Sequence, residues 1–445
     1  MLGITDSRAY LVGGDIFLGR QFPASPLPPS SSSSMFAYLK SPGIGILLLF
    51  LCSGGCACLK KCCCWPRATP HLQCSQVEPT EIIPDLSLLP QALPPVDGPS
   101  QYCAITELNA QCLAARNSKK ANLLVQEAEA VESQRKCFDR GNELAQELLL
   151  LQATHQRNQD AAVALQLLLR LTEAEAGAQN LDRRLVEVDG MVSDANELWS
   201  RGIAPPVSKA ELESQRLAMQ HQIAEVRGTI EKLNYQLNDA LGVSLPPGSR
   251  HWPEVDLLVD PSYIDAEEAV AVGLANRADL AALRLASRAE GREVVSAALI
   301  LLQPLGIGMA TASSGCCLTK LLHLCSAGAE SDVRSEQIQS ARRSQELTVE
   351  QEVRQAVGLQ SLRLTQIVLT RDRWNSTKSY LQALTQQQQS TGDPPSVRKQ
   401  RLDALAVEQD LLHDVIEWKI AQVKLKEAQG LLAIECGYDA AARCR

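Results

Sequence analysis

One plan written twice constrains this chain more than any other feature. Residues 201–242 (RGIAPPVSKAELESQRLAMQHQIAEVRGTIEKLNYQLNDALG) read as a turn followed by an amphipathic helix. Residues 390–432 (STGDPPSVRKQRLDALAVEQDLLHDVIEWKIAQVKLKEAQGLL) follow the same plan: a Gly, a Pro-Pro pair, then a long helical pattern closing near a Leu. A shift of 190 positions pairs Leu212 with Leu402, Leu217 with Val407, Val226 with Ile416, Ile230 with Ile420, Leu233 with Val423 and Leu241 with Leu431. Pro205-Pro206 meets Pro394-Pro395 with a one-residue slip. An internal repeat of helical hairpins points to a tube or scaffold rather than to a catalytic pocket.

The segment before each turn carries the other half of each hairpin. Phe138–Arg201 is free of proline, and Leu171, Ala174, Ala178, Leu181, Leu185, Val188, Val192, Ala195 and Trp199 recur at alternating steps of three and four. That is a heptad seam, which predicts a left-handed supercoil against partner helices. Proline ends the helix at 205–206, and Ser208 can cap its successor. The return helix carries Met219, Ile223, Val226, Ile230, Leu233, Leu237 and Ala240, and stops at Gly242. At 1.5 Å per residue the outgoing run is ~95 Å long and the return ~50 Å. A further segment must therefore stack on the end of the return helix, and Asn117–Cys137 and Ala266–Leu299 have the pattern for it. In the second copy, Glu330–Gln389 is proline-free with Val349, Val353, Leu364, Ile367 and Trp374. Thr391–Pro395 then turns the chain, and Leu402, Leu405, Leu412, Ile416, Ile420 and Val423 follow.

The first hundred residues behave differently. Residues 23–34 are rich in Pro and Ser without periodicity. Met35 then opens a secretory-type segment, with Lys40 before the apolar run Ile44–Leu51. That run suits a signal core and is short of the ~20 residues a spanning helix needs. Cys56 follows Ser53-Gly54-Gly55 directly, the position an acylated lipoprotein cysteine occupies. The other reading is a tolerated Cys-rich leader, since seven of the fifteen cysteines lie between 52 and 74. Six prolines in 75–100 mark an extended linker.

The residues offer no site chemistry. The six histidines form no H-E-x-x-H, the eight later cysteines form no C-x-x-C, and no Walker loop or G-x-S-x-G elbow occurs. Gly306-Ile-Gly308 lacks the third Gly of a dinucleotide loop. We therefore expect no enzyme, no cofactor and no metal. A net charge of −8 and a pI near 5.5 give no basic footprint for nucleic acid.

The hairpin unit RGI…SKAELESQRLAMQ…LNDALG and the segment Gly273–Leu280 (GLANRADL), followed by Ala-Ala-Leu-Arg, resemble the outer-membrane efflux protein family, the TolC-like channel tunnels. The likeness spans about Thr106 to Cys436, with Ala278 where that family's N-R-P-D-L element often has Pro. The resemblance implies three chains building an α-helical barrel of twelve helices, which meets a periplasmic adaptor and an inner-membrane pump and conducts substrates outward. It also implies adaptor-contacting tips at Gly202, Ile203, Ala204 and Pro205, and at Gly392, Asp393 and Pro394. The family inserts two barrel strands per repeat. Here Lys136–Glu143 is too short for two spanning strands of ~9–11 residues, and Ile300–Ala329 lacks their alternation.

The expectation is therefore an all-α protein of elongated coiled-coil hairpins in two repeats, an α-barrel subunit with little or no β-barrel. It would be exported and homotrimeric, at the bacterial outer membrane facing the periplasm. The segments are 1–34, a disordered or upstream extension; 35–58, signal- or lipoprotein-like; 59–103, a Cys/Pro-rich linker; 104–245, the first hairpin repeat; 246–265, a linker; 266–436, the second repeat with an apolar loop at 300–329; and 437–445, a tail. A non-conducting coiled-coil envelope scaffold is the alternative.

Overall fold

Proline-free runs with a helical apolar period become single long helices. The computed structural model describes residues 101–438 apart from 134–139, 206, 262–263, 303–316 and 392–393. Strand β1 (Gln101–Thr106) leads into helices α1 (Glu107–Asn117), α2 (Lys119–Ser133), α3 (Arg140–Ser200) and α4 (Lys209–Leu241). Strand β2 (Ser249–Glu254) follows, then α5 (Ala266–Asn276), α6 (Ala278–Ala286) and α7 (Arg292–Leu302). The chain continues with α8 (Cys317–Thr391), α9 (Pro394–Gln429) and α10 (Leu431–Glu435). The 61 residues of α3 and the 75 of α8 make helices of roughly 90 and 110 Å.

The fold is all-α as expected, with only two short strands and no barrel among the described residues. In each repeat a long helix pairs with a shorter one: α3 with α4, and α8 with α9. Because α3 also packs on α9, the four long helices lie side by side in the order α4–α3–α9–α8. The return-helix seam is buried as its spacing predicts, at Met219, Ile223, Ile230 and Leu237. So are Val349, Val353, Ile367, Trp374, Leu412, Ile416 and Ile420 in the second repeat. The outgoing seam departs from the heptad at its end, where Trp199 is 72% exposed. A straight α-helix drifts about 20° per heptad, so four heptads after Leu171 the seam has rotated away from that position. Leu198 takes the inner place, beside Pro205 and Leu212.

The short helices complete what α4 and α9 leave uncovered. α1 and α2 pack on α3, α5 packs on α8 and α9, and α6 and α7 pack on both α3 and α8. Gly242 ends α4 in the left-handed region (φ 62°), with the Gly242 and Val243 amides returning to the Asp239 and Asn238 carbonyls. The Asn117 side chain then donates to the Leu241 carbonyl at 2.7 Å, which joins the end of α4 to the break between α1 and α2. A Cβ on Gly242 would sit 2.9 Å from the Asn117 Cβ as well as in a strained backbone region. Gly242→Ala should therefore cost about 2 kcal/mol in urea unfolding, within the ~1–3 kcal/mol range for such strain. An unchanged midpoint would show that the joint yields.

Three boundaries differ from the sequence reading. β1 begins at Gln101, inside the span taken as the linker 59–103, and β2 lies inside the span taken as the linker 246–265. The strands pair in parallel, Gln101 with Ser249 through Thr106 with Glu254, over a contact of Tyr102 with the buried Trp252. Each six-residue strand is too short to show a period of its own. The span read as an apolar loop, 300–329, is helical where it is described: α7 extends to Leu302 and α8 begins at Cys317. Leu318, Leu321, Leu322 and Cys325 recur at helical spacing, a signal too short to stand out within an apolar span. Segments 1–34 and 35–58 with Cys56, most of 59–103, residues 439–445 of the tail, and Gly392 and Asp393 lie outside the described residues.

Candidate functional site

The turn of the first hairpin is a built structure. Gly202 takes φ 74°, and the amides of Gly202 and Ile203 return to the carbonyls of Trp199 and Leu198, closing α3 with a Schellman turn. Ser208 then caps α4 through a hydrogen bond accepted from the Glu211 amide. Pro205 and Val207 fold back over Met191, Ala195, Leu198 and Leu212 around a cavity of about 20 Å³. With the turn anchored from below, Gly202, Ile203 and Ala204 face outward, and Ile203 is 52% exposed. Trp199 stands exposed one turn behind them. Among the tip residues expected in the second hairpin, Pro394 begins α9, while Gly392 and Asp393 are outside the described residues.

Below the tip, ion pairs run along the contact between the hairpins. Arg398 on α9 lies across Gly190 of α3 to reach Asp194 at 2.7 Å and Glu187 at 3.4 Å, and Arg401 reaches Glu187 at 3.4 Å. A Cβ at Gly190 would overlap the Arg398 guanidinium. Further along, Arg183 pairs with Glu408 at 2.7 Å and His413 with Glu173 at 2.6 Å. Glu417 accepts from both Arg170 and Arg363, which links α3, α9 and α8. These pairs flank the buried apolar seam that joins the same helices.

The GLANRADL segment becomes the opposite anchor of the second repeat. Arg277 sits between α5 and α6 with its side chain 8% exposed. It bonds both oxygens of Asp279 (3.0 and 2.6 Å), Glu352 on α8 at 2.5 Å and the Ala428 carbonyl on α9 at 3.3 Å. Burial works against its charge, but the Asp279 and Glu352 carboxylates outweigh it and hold the guanidinium protonated. Burial alone would raise the Asp279 carboxyl; the Arg277 hydrogen bonds hold it below its ordinary range. Gly430 (φ 75°) lets the end of α9 approach within a Cβ distance of 3.1 Å of the Asn276 carbonyl, the counterpart of the Gly242–Asn117 joint.

Two grooves open along these helices. One, of about 550 Å³, is lined by Glu173, Thr370, Arg373, Asp410, His413 and Asp414. The other, of about 420 Å³, is lined by His155, Arg277, Glu352, Lys424 and Glu427. Burial lowers the His155 imidazole pKa against the pull of Asp279. In the first groove Arg373 pairs with Asp410 and His413 with Glu173, and in the second Arg277 pairs with Glu352, so these charges also hold helices together. Among the described residues, no three His, Cys, Asp or Glu side chains converge to hold a metal ion. No described helix is long and apolar enough to cross a membrane. The arrangement is suited to holding long helices in register and presenting the tip.

No family model matches the sequence, and no curated protein matches it. Solved structures do. A membrane protein from Pseudomonas aeruginosa aligns with a TM-score of 0.51 over 73% of this chain and 90% of its own, at 13% identity. The chain shares that protein's fold. The CmeC outer membrane channel of Campylobacter jejuni aligns with a TM-score of 0.49 at 10% identity, over 75% of this chain and 86% of its own. The outer membrane protein VceC of Vibrio cholerae aligns with a TM-score of 0.47 at 12% identity, over 73% and 95%.

Sequence reasoning missed three features of this region. Trp199 belongs to the outward surface of the tip and not to the seam. Arg277 is the hub of the second joint; its one local signal is the acidic Asp279 two residues on. The disulfide between Cys112 on α1 and Cys436 after α10 joins residues 324 positions apart with a Cα separation of 5.2 Å, and no local spacing announces it.

Proposed function

We propose that this chain is one subunit of a TolC-like channel for efflux or secretion, placed at the outer membrane and facing the periplasm. Its partners would be two further copies, a periplasmic adaptor and an inner-membrane pump. The observation that carries the reading is the layer α4–α3–α9–α8, whose two outer helices still present apolar side chains to water. On α8, Val333, Leu347, Leu362, Leu369 and Tyr380 are all more than half exposed, and at 100° per residue they fall within about 60° of one another. On α4, the exposed Leu217 and Tyr235 are five turns apart on one side. A layer with two unlike apolar edges is satisfied when the α8 edge of one copy meets the α4 edge of the next, an arrangement that closes into a ring. The disulfide supports an oxidising compartment outside the cytosol.

The first test is the mass of the full chain in mild detergent by light scattering, beside its partition between membrane and soluble fractions. A membrane-associated species near three times 48.3 kDa supports the tunnel; a soluble monomer or dimer overturns it. Cys56 is proposed as an acyl anchor, so Cys56→Ser should move the protein toward the soluble fraction. The tip Gly202–Pro205 is proposed to meet the adaptor, with Trp199 and Ile203 as its apolar anchors. Trp199→Ala together with Ile203→Ala should weaken capture of a purified adaptor hairpin domain by about tenfold or more, the scale of a small interface hot spot. Equal capture by variant and parent would remove the tip from that role.

A second reading, a non-conducting envelope scaffold, is favoured by one observation. Where the resemblance calls for barrel strands, the described residues of 300–329 are helical. Single-channel conductance in a planar bilayer separates the two, because only the tunnel passes ions.

A further inference from the structure

The last described helix is held largely by the first repeat, with one ion pair from α9, Lys426 to Glu435 at 2.8 Å. α10 has five residues, too few to persist as an isolated helix. Its first turn is capped by Asn158 of α3, whose Oδ1 accepts from the Leu432 and Ala433 amides at 3.0 and 3.4 Å. The Asn158 Nδ2 donates to the Glu427 carbonyl at 2.9 Å. Gln111 of α1 donates to the Leu432 carbonyl and to Glu435, both at 2.8 Å. Arg157 lies over the Tyr438 ring at 4.2 Å. Immediately beside Gln111, Cys112 is bonded to Cys436. Both cysteines are half-buried, so the bond is within reach of a small thiol or phosphine.

We propose that Cys112 and Cys436 form a redox-controlled clasp. Their dithiol form would be the substrate of a thiol–disulfide oxidoreductase met after export, and their oxidation would fasten α10 and so close the second repeat onto the first. The step balances as thiol–disulfide exchange. One cysteine, as thiolate, attacks the oxidant's disulfide and forms a mixed disulfide. The other then attacks the protein sulfur of that mixed disulfide, and the oxidant leaves as a dithiol carrying the two electrons and two protons. The clasp stands where local opening would otherwise begin, because a helix of five residues does not hold itself closed. It also lies beside the Asn158 cap, so losing it exposes the buried Leu432 and Ala433 together.

The test is hydrogen exchange on the intact protein, oxidised and after treatment with a phosphine reductant, followed at amides 430–436 and, as an internal reference, at 212–240 in α4. Reduction should speed exchange at 430–436 by tenfold or more and leave α4 unchanged. Cys103 is also disulfide-bonded, so the Cys112→Ser/Cys436→Ser pair isolates the clasp. Its α10 should exchange at the reduced rate whether or not reductant is present. Equal exchange at 430–436 in oxidised and reduced protein overturns the proposal. So does a non-reducing peptide map in which Cys112 and Cys436 are not joined after exposure to oxidised glutathione. Neither readout depends on whether the chain forms a trimer or conducts, so failure here is distinct from failure of the tunnel reading.

Discussion

Arg277→Ala should destabilise the protein by about 3–5 kcal/mol in urea unfolding, the cost of removing one partner from a buried, hydrogen-bonded ion cluster. The loss is large because Asp279 and Glu352 remain behind. Asp279 would keep the Leu280 amide and the Gln345 side chain but no full positive charge in direct hydrogen-bond contact. The pH dependence identifies the cause. Asp279 is held below its ordinary carboxylate range in the folded chain, so its contribution is present above the unfolded pKa and disappears as pH falls through the folded value. The gap between parent and variant should therefore narrow once the solution is acid enough to protonate Asp279. Arg277→Lys, which keeps the charge but cannot fork across both Asp279 oxygens and Glu352, should fall between them. A gap constant with pH would mean that Arg277 acts by packing alone.

Glu175→Gln should stabilise the protein by about 3 kcal/mol at pH 8 and change little near pH 4. Glu175 projects from α3 into a site where burial pushes its pKa up to about 7, with nearby Arg250 only partly opposing the shift. Its Oε1 is buried with no hydrogen-bond partner among the described residues. A carboxyl whose folded pKa is raised is better protonated in the folded chain, so stability falls as pH rises from about 4.5 to about 7 and stays low above that. His251, fully buried in β2, has the opposite slope. Burial lowers its pKa to about 4, so stability rises with pH between about 4 and the ordinary histidine value. In the parent the two slopes offset across mildly acid pH. The other shifted groups, His155 and Asp279 among them, act alike in both proteins, so the gap between variant and parent should open as pH rises from about 4.5 to about 7 and then level. Parallel profiles for parent and variant would sink this account.

The long helices were legible because the period that buries one face is written into every turn. Met219 through Leu237 repeat every three or four residues, and Gly242 and Pro205-Pro206 punctuate them. The joints were half legible. The need for a segment beyond α4 follows from unequal helix lengths, but the contact of Asn117 with Leu241 links residues 124 apart and has no local signature. The same holds for Cys112–Cys436 and for β1 with β2, which pair across an intervening hairpin. At the tip, Gly202 and the proline pair were plain in the sequence. The outward turn of Trp199 was not, because it depends on accumulated drift along α3 that a heptad count ignores.

Gly190 gives the pairing of the two hairpins a single notch. The Arg398 guanidinium occupies the space that a side chain would take there, and it ties down on Asp194 and Glu187 to either side. Sliding α9 along α3 by one turn, about 5.4 Å, would carry that guanidinium onto Val186 or Asp194, both of which have side chains in the way. Translation along the helix axes is thus indexed to one position. Any movement these hairpins make against each other is left to tilt and roll, with the Arg398 peg as its pivot.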